Sequence, residues 1–150
     1  MNIRRAGKIL KNYIACNILE LCYTEDTLRR LFMSIITEIL ALFVALEFFY
    51  IMYLETFATT SDKTSQVFKM SKEELSRDSV KTLFKNQGVY NGLISILILL
   101  ALFVFTSKIA IMILMGYIIL VALYGAFTSN PKILLMQGGL AILTLISALF

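Results

Sequence analysis

Residues 86–150 read NQGVYNGLISILILLALFVFTSKIAIMILMGYIILVALYGAFTSNPKILLMQGGLAILTLISALF, and Lys108 and Lys132 are the only charged side chains among them. Three apolar runs fill the stretch, at about 88–106, 109–127 and 132–150, each close to the ~20 residues that a helix rising 1.5 Å per residue needs to cross a ~30 Å hydrocarbon layer. Thr106, Ser107 and Lys108 part the first two runs. TSNPK parts the last two, with Asn130 and Pro131 marking a turn and a fresh helix start. A fourth apolar run lies upstream, at about 35–54. Connections this short imply antiparallel neighbours, so the expected fold is all-α: an up-down bundle of four transmembrane helices.

The composition agrees. The chain has 150 residues, 59% hydrophobic and 16% charged, with a mean hydropathy of +0.81. A soluble core of this size cannot hide so much apolar surface. The chain therefore reads as a multi-pass protein of the cell membrane, with the lipid bilayer as its first partner. Its isoelectric point near 9.1 is no sign of nucleic acid. Six of the fourteen Lys and Arg precede residue 33 and six more lie at 63–85, so the positive charge flanks apolar spans, which is a topology signal. The chain has no His, which removes the commonest metal ligand and general base. Cys16 and Cys22 form neither a disulfide framework nor a CxxC site. No metal or cofactor site is read.

One long polar connection, about 57–85, joins the first and second spans. Within it Ser71 and Glu74 have capping-box spacing, and Leu75, Val80, Leu83 and Phe84 give a loosely amphipathic face. A short interfacial helix feeding the second span is expected here. Its six basic residues put the connection in the cytoplasm, and both termini of the bundle outside.

Residues 1–32 fit this topology poorly, because six basic residues fall on the opposite side of the first span. Lys8 and Lys11 interrupt any signal-peptide core. Arg29-Arg30 can be encoded by a purine-rich ribosome-binding sequence, with Leu31-Phe32 as spacer before Met33. The segment is therefore read as an extension arising from a misassigned start, and 33–150 as the membrane domain. Codons for Arg29 and Arg30 without a purine run would count heavily against this.

Antiparallel spans bring four polar helix ends to one half of the membrane: YIMYLETF, NQGVYNG, LYGAF and QGG. Tyr50, Tyr53, Glu55, Asn86, Gln87, Tyr90, Asn91, Tyr124 and Gln137 thus share the loop half, while the other half is mostly Leu, Ile and Phe. Glu47 lies deeper, where a carboxylate costs several kcal/mol unless it is protonated or paired. Gln87 with Asn91, and Asn86 with Tyr90, are four apart and share helical faces. Gly88 and Gly92 form a small-xxx-small pair, a seam for close helix packing or a homodimer. Gln137, Ala141, Thr144 and Ala148 make a weakly polar stripe suited to packing.

The segments LEFFYIMYLETF, NQGVYNG and YGAFTSNPKILLMQGGLAIL resemble the domain-of-unknown-function 1304 family, small bacterial integral membrane proteins without an assigned activity. The resemblance covers about 34–150 and falls on Glu47, Tyr50, Glu55, Asn86, Gln87, Gly88, Tyr90, Asn91, Gly92, Gly125, Gln137 and Gly138, with the four glycines as packing positions. It departs at Phe48, where the family often carries His. A Glu–His metal pair is thus unavailable to this chain.

Three roles are weighed. The first is binding or transport of an unidentified polar small molecule or lipid headgroup, through Glu47, Tyr50, Tyr53, Glu55, Asn86, Gln87, Tyr90, Asn91, Tyr124 and Gln137; amides and phenols both donate and accept, which suits a neutral or zwitterionic ligand. The second is a structural or accessory subunit whose polar groups lock the bundle. The third is an interfacial enzyme on lipids, and it ranks lowest. Glu47 and Glu55 are eight residues apart, about 12 Å along a helix axis, too far for a cooperating carboxylate pair.

Overall fold

In a computed structural model of the protein, residues 34–128 and 131–150 are described. The readings of 1–32, including a start at Met33, lie outside the described residues. Among the described residues, four helices are long and apolar enough to cross a membrane. We number the helices α1 (Ile35–Thr56), α2 (Asp62–Phe68), α3 (Lys72–Leu75), α4 (Asp78–Leu99), α5 (Lys108–Thr128) and α6 (Lys132–Leu149), with a π-helical turn at Leu100–Val104 extending α4. The ends of α1, α5 and α6 fall within about two residues of the sequence expectation.

Small and β-branched residues set the packing. Between lipid-immersed helices there is no hydrophobic drive, so close backbone approach and interhelical hydrogen bonds carry association. The buried stripe of α1 is Thr37, Ala41, Val44, Ala45, Phe48, Ile51, Leu54 and Glu55, at the 3–4 spacing of one helical face. It serves two neighbours, α4 and α6, while α5 packs chiefly on α6. The face of α6 toward the core is Gly138, Ala141, Thr144 and Ala148, close to the expected stripe.

The short-connection rule is only partly met. Helices α4 and α5 are consecutive, yet they hardly touch. The π-helical turn redirects the chain between them: Phe105 N–H donates to Leu100 C=O at 2.9 Å, and Ser107 N–H reaches back to Ala101 C=O at 3.0 Å. Thr106 then takes a left-handed φ of 43°, and Ser107 Oγ caps α5 through Ala110 N–H at 3.2 Å. Splayed in this way, α4 and α5 leave space between them.

The long connection also differs from expectation. The Ser71 cap forms, its Oγ accepting from Glu74 N–H at 3.1 Å, but it starts only the single turn α3. Arg77 is extended, and α4 then begins at Asp78, so residues 78–85 are the first two turns of the second span and not a separate interfacial helix. Helix α2 had no periodic signal in the sequence. It is held under the end of α1 by Thr64, whose buried Oγ1 donates to Ala58 C=O at 2.6 Å, and by Phe68, which meets Phe84 of α4 edge-on at 5.0 Å.

Among the described residues, one side-chain hydrogen bond joins α1 to α6 in the half away from the loop, Thr37 Oγ1 to Ser147 Oγ at 3.0 Å. Thr37→Val is expected to cost about 0.6 kcal/mol, with ~1.7 as the ceiling for such bonds, measured by unfolding in mixed micelles. A loss well above that ceiling would mean that the hydroxyls do more than join two helices.

Candidate functional site

The polar residues of the loop half separate into one closed seam and two cavities. The seam joins α1 to α4. Asn91 Nδ2 donates to Glu55 Oε2 at 2.7 Å with both side chains buried, and Ser95 Oγ, one turn further, donates to Ala45 C=O at 2.9 Å. Glycine makes this approach feasible. A Cβ on Gly88 would clash with Thr56 Oγ1 and lie 3.1 Å from Thr56 N, and one on Gly92 would lie 3.0 Å from Met52 Cγ. The Gly88/Gly92 pair is therefore taken up by α1 of the same chain and is not the seam for a second copy. Glu55 and Asn91 hold helices together here, in the manner of interhelical hydrogen bonds elsewhere in membranes.

The first cavity, of about 200 Å³, occupies the gap where α4 and α5 diverge. Gln87, Tyr90 and Asn91 of α4, Tyr117 of α5 and Gln137 of α6 supply its polar lining, with Phe48 of α1 among its apolar walls. Gln87 and Asn91 thus share a face as their spacing requires. The Asn91 amide nitrogen is already engaged by Glu55.

The second cavity, about 220 Å³, lies between α1, the end of α2 and the start of α6. Glu47, Tyr50, Lys69, Lys132 and Gln137 line it among apolar walls that include Ile51, Leu54, Phe68 and Met136. Glu47 Oε2 is buried and has no hydrogen-bond partner among the described residues. That oxygen is costly where it stands unless something donates to it. Lys69 ends α2 with a left-handed φ of 54°, a conformation that turns the chain back at the cavity edge. Gln137 lines both cavities. Glu47 and Glu55 address different helices, so they do not form a joint acid–base pair.

Three residues grouped with the site by height along the helices lie off it. Tyr53 is half exposed and stacks on Phe57, with centroids 6.4 Å apart; Tyr124 and Asn86 are exposed and line neither cavity. Gly125 and Gly138 sit at the α5–α6 contact, where added Cβ atoms would lie 3.3 Å from Ile133 and 3.2 Å from Ala122. Lys69, Lys132 and Tyr117 line cavities without having been singled out as site residues. Tyr117 lies seven residues before Tyr124 and on the same side of the helix, a spacing the sequence shows without marking a cavity, and the lysines looked like topology markers alone. Among the described residues no three Cys, Asp or Glu side chains gather as metal ligands.

The family profile described as "Protein of unknown function (DUF1304)" matches residues 42–149, a range that includes every site residue above. A relative from Lactococcus lactis subsp. lactis (strain IL1403), printed as "Uncharacterized protein YpaA", is 65% identical over 119 residues, covering 79% of this chain and 100% of the relative. No solved structure matches the chain.

Proposed function

The chain belongs to the DUF1304 family, and from that membership, which carries no activity, we propose that it binds a polar small molecule or lipid headgroup in the loop half of a four-span bundle in the bacterial cell membrane. The carrying observation is Glu47 Oε2, buried and without a partner on the wall of a cavity that also holds phenol, amide and ammonium groups. A group that only tied helices would have its bond made, as Glu55 does with Asn91. A buried carboxyl oxygen without a donor, on a residue that lines a cavity, supports a reading in which the donor comes from outside the chain. Seven of the eight Lys and Arg from residue 34 onward sit on the loop side, with Lys108 opposite, which supports a cytoplasmic loop side for the 34–150 bundle.

The test is native mass spectrometry of the full chain, extracted gently with its own lipids, beside its Glu47→Gln variant. A bound species should ride on the wild type and fall at least about tenfold in a variant that keeps its helical circular dichroism; tenfold corresponds to ~1.4 kcal/mol, the scale of one hydrogen bond to a charged group. Wild-type protein that leaves extraction empty would sink the binding reading.

A second reading has its own support. The Glu55–Asn91 and Ser95–Ala45 bonds are interhelical and complete, as expected of an accessory subunit whose polar residues only fix the bundle. On that reading Glu47→Gln loses stability and no ligand.

A further inference from the structure

The charges around the second cavity are arranged by depth. Glu47 is nine residues inside the loop-side end of α1, about 14 Å along its axis. Lys132 is the first residue of α6, and Lys69 closes α2 on the loop. Both lysines line the same cavity as Glu47, so a carboxyl group stands within the span and ammonium groups stand toward the helix ends. Between the two levels stand Tyr50 and Gln137, whose oxygens accept hydrogen bonds.

We infer that this cavity takes a primary-amine zwitterion, its ammonium directed inward to Glu47 and its phosphate or carboxylate held outward by Lys69 and Lys132. The inference rests on the binding reading above and adds the chemical class and orientation of the ligand. An ammonium carries three donors and no acceptor, and the residues that line this cavity include the Glu47 carboxyl, the Gln137 amide and the Tyr50 phenol, each of which can accept. The anionic end meets two ammonium groups near the interface, where charge is least costly. Discrimination follows at either end: a pure anion brings no donor to the Glu47 carboxyl, and a pure cation must pass two lysines. At about 220 Å³ the cavity is below the roughly 300–1,000 Å³ of sites for drug-sized ligands, so it suits a headgroup-sized group.

The chemistry is common to an amine-bearing phospholipid headgroup and a free aminoalkyl phosphate. Native mass spectrometry of the delipidated full chain decides among these, with phosphatidylethanolamine and phosphatidylglycerol of matched acyl chains as probes and phosphoethanolamine as competitor. Phosphatidylethanolamine is expected to be retained about tenfold more than phosphatidylglycerol, the ~1.4 kcal/mol of one charge-assisted contact. Competition by phosphoethanolamine points to a free ligand, and a preference that survives it points to the lipid; either supports the inference. Glu47→Gln should bring the two lipids together. Lys69→Asn, a residue that tolerates the left-handed turn, should lower phosphatidylethanolamine retention several-fold and leave a folded protein even where Glu47→Gln does not. Equal retention of both lipids by the wild type, or an unchanged preference in a folded Glu47→Gln, overturns the zwitterion while leaving a polar site intact. Retention of neither lipid nor any native species overturns both readings.

Discussion

Gly88→Leu is expected to abolish the folded bundle, and Gly88→Ala to cost about 1–3 kcal/mol, the usual range for overpacking a closed site. The reason is local. An added Cβ meets Thr56 Oγ1 and then, within 3.1 Å, the backbone nitrogen of Thr56 and Cβ of Glu55. Backbone cannot swing aside as a side-chain tip can, so α1 and α4 must separate. Separation would stretch the 2.7 Å Asn91–Glu55 bond and the 2.9 Å Ser95–Ala45 bond together. Gly92 is the milder case, because its nearest neighbour is the flexible Met52 side chain. Gly116 and Gly139 are the controls: a Cβ on either meets nothing within 4 Å. Alanine there should be neutral or stabilising by up to ~1 kcal/mol through helix propensity. Monodisperse yield in detergent, followed by unfolding in mixed micelles, reads all four positions. Wild-type behaviour of Gly88→Leu would show that α1 and α4 do not pack through this notch.

The spans were legible because lipid imposes a simple rule: long uncharged helices with breaks at turn residues. The start of the second span was not. Residues 78–85 carry Asp78, Lys81 and Lys85, so hydropathy ends the span at about 88, although the helix begins at Asp78, its first two turns packed on α2 through Phe84 and Phe68. Helix α2 was invisible because seven residues give no period; a cap at Ser61 and the buried Thr64 hydroxyl fix it through tertiary contact. The site was legible in height and illegible in rotation. Tyr124 is at the right level, but the buried face of α5 runs Ile111, Met115, Ile118, Ala122, and a residue two positions past Ala122 lies about 200° round the helix. The small residues Gly88, Gly92 and Ser95 did mark the inner face of α4, and Asn91 beside them is the amide that is buried. Asn86, off that stripe, is exposed. Small-residue stripes thus give the azimuth that hydropathy omits.

The same seam yields the second large effect. Asn91→Leu is expected to destabilise the bundle by about 1–3 kcal/mol, because it leaves the buried Glu55 carboxyl without its donor. The cost belongs to the orphan and not to the lost bond. Interhelical hydrogen bonds in membranes average only ~0.6 kcal/mol net, since the separated helices also find partners. Removing both polar groups should therefore restore most of what removing one loses. Asn91→Leu combined with Glu55→Met, an apolar residue of similar length, is predicted to be more stable than Asn91→Leu alone, with a coupling energy of about 0.5–3 kcal/mol across the double-mutant cycle. Unfolding of the four proteins under one set of conditions measures it. Additive losses would mean that Glu55 is stabilised by something other than Asn91. A recovered double variant would identify this pair as a lock between α1 and α4, and would leave Glu47, with no such partner on its Oε2, as the carboxylate that needs a donor from outside the chain.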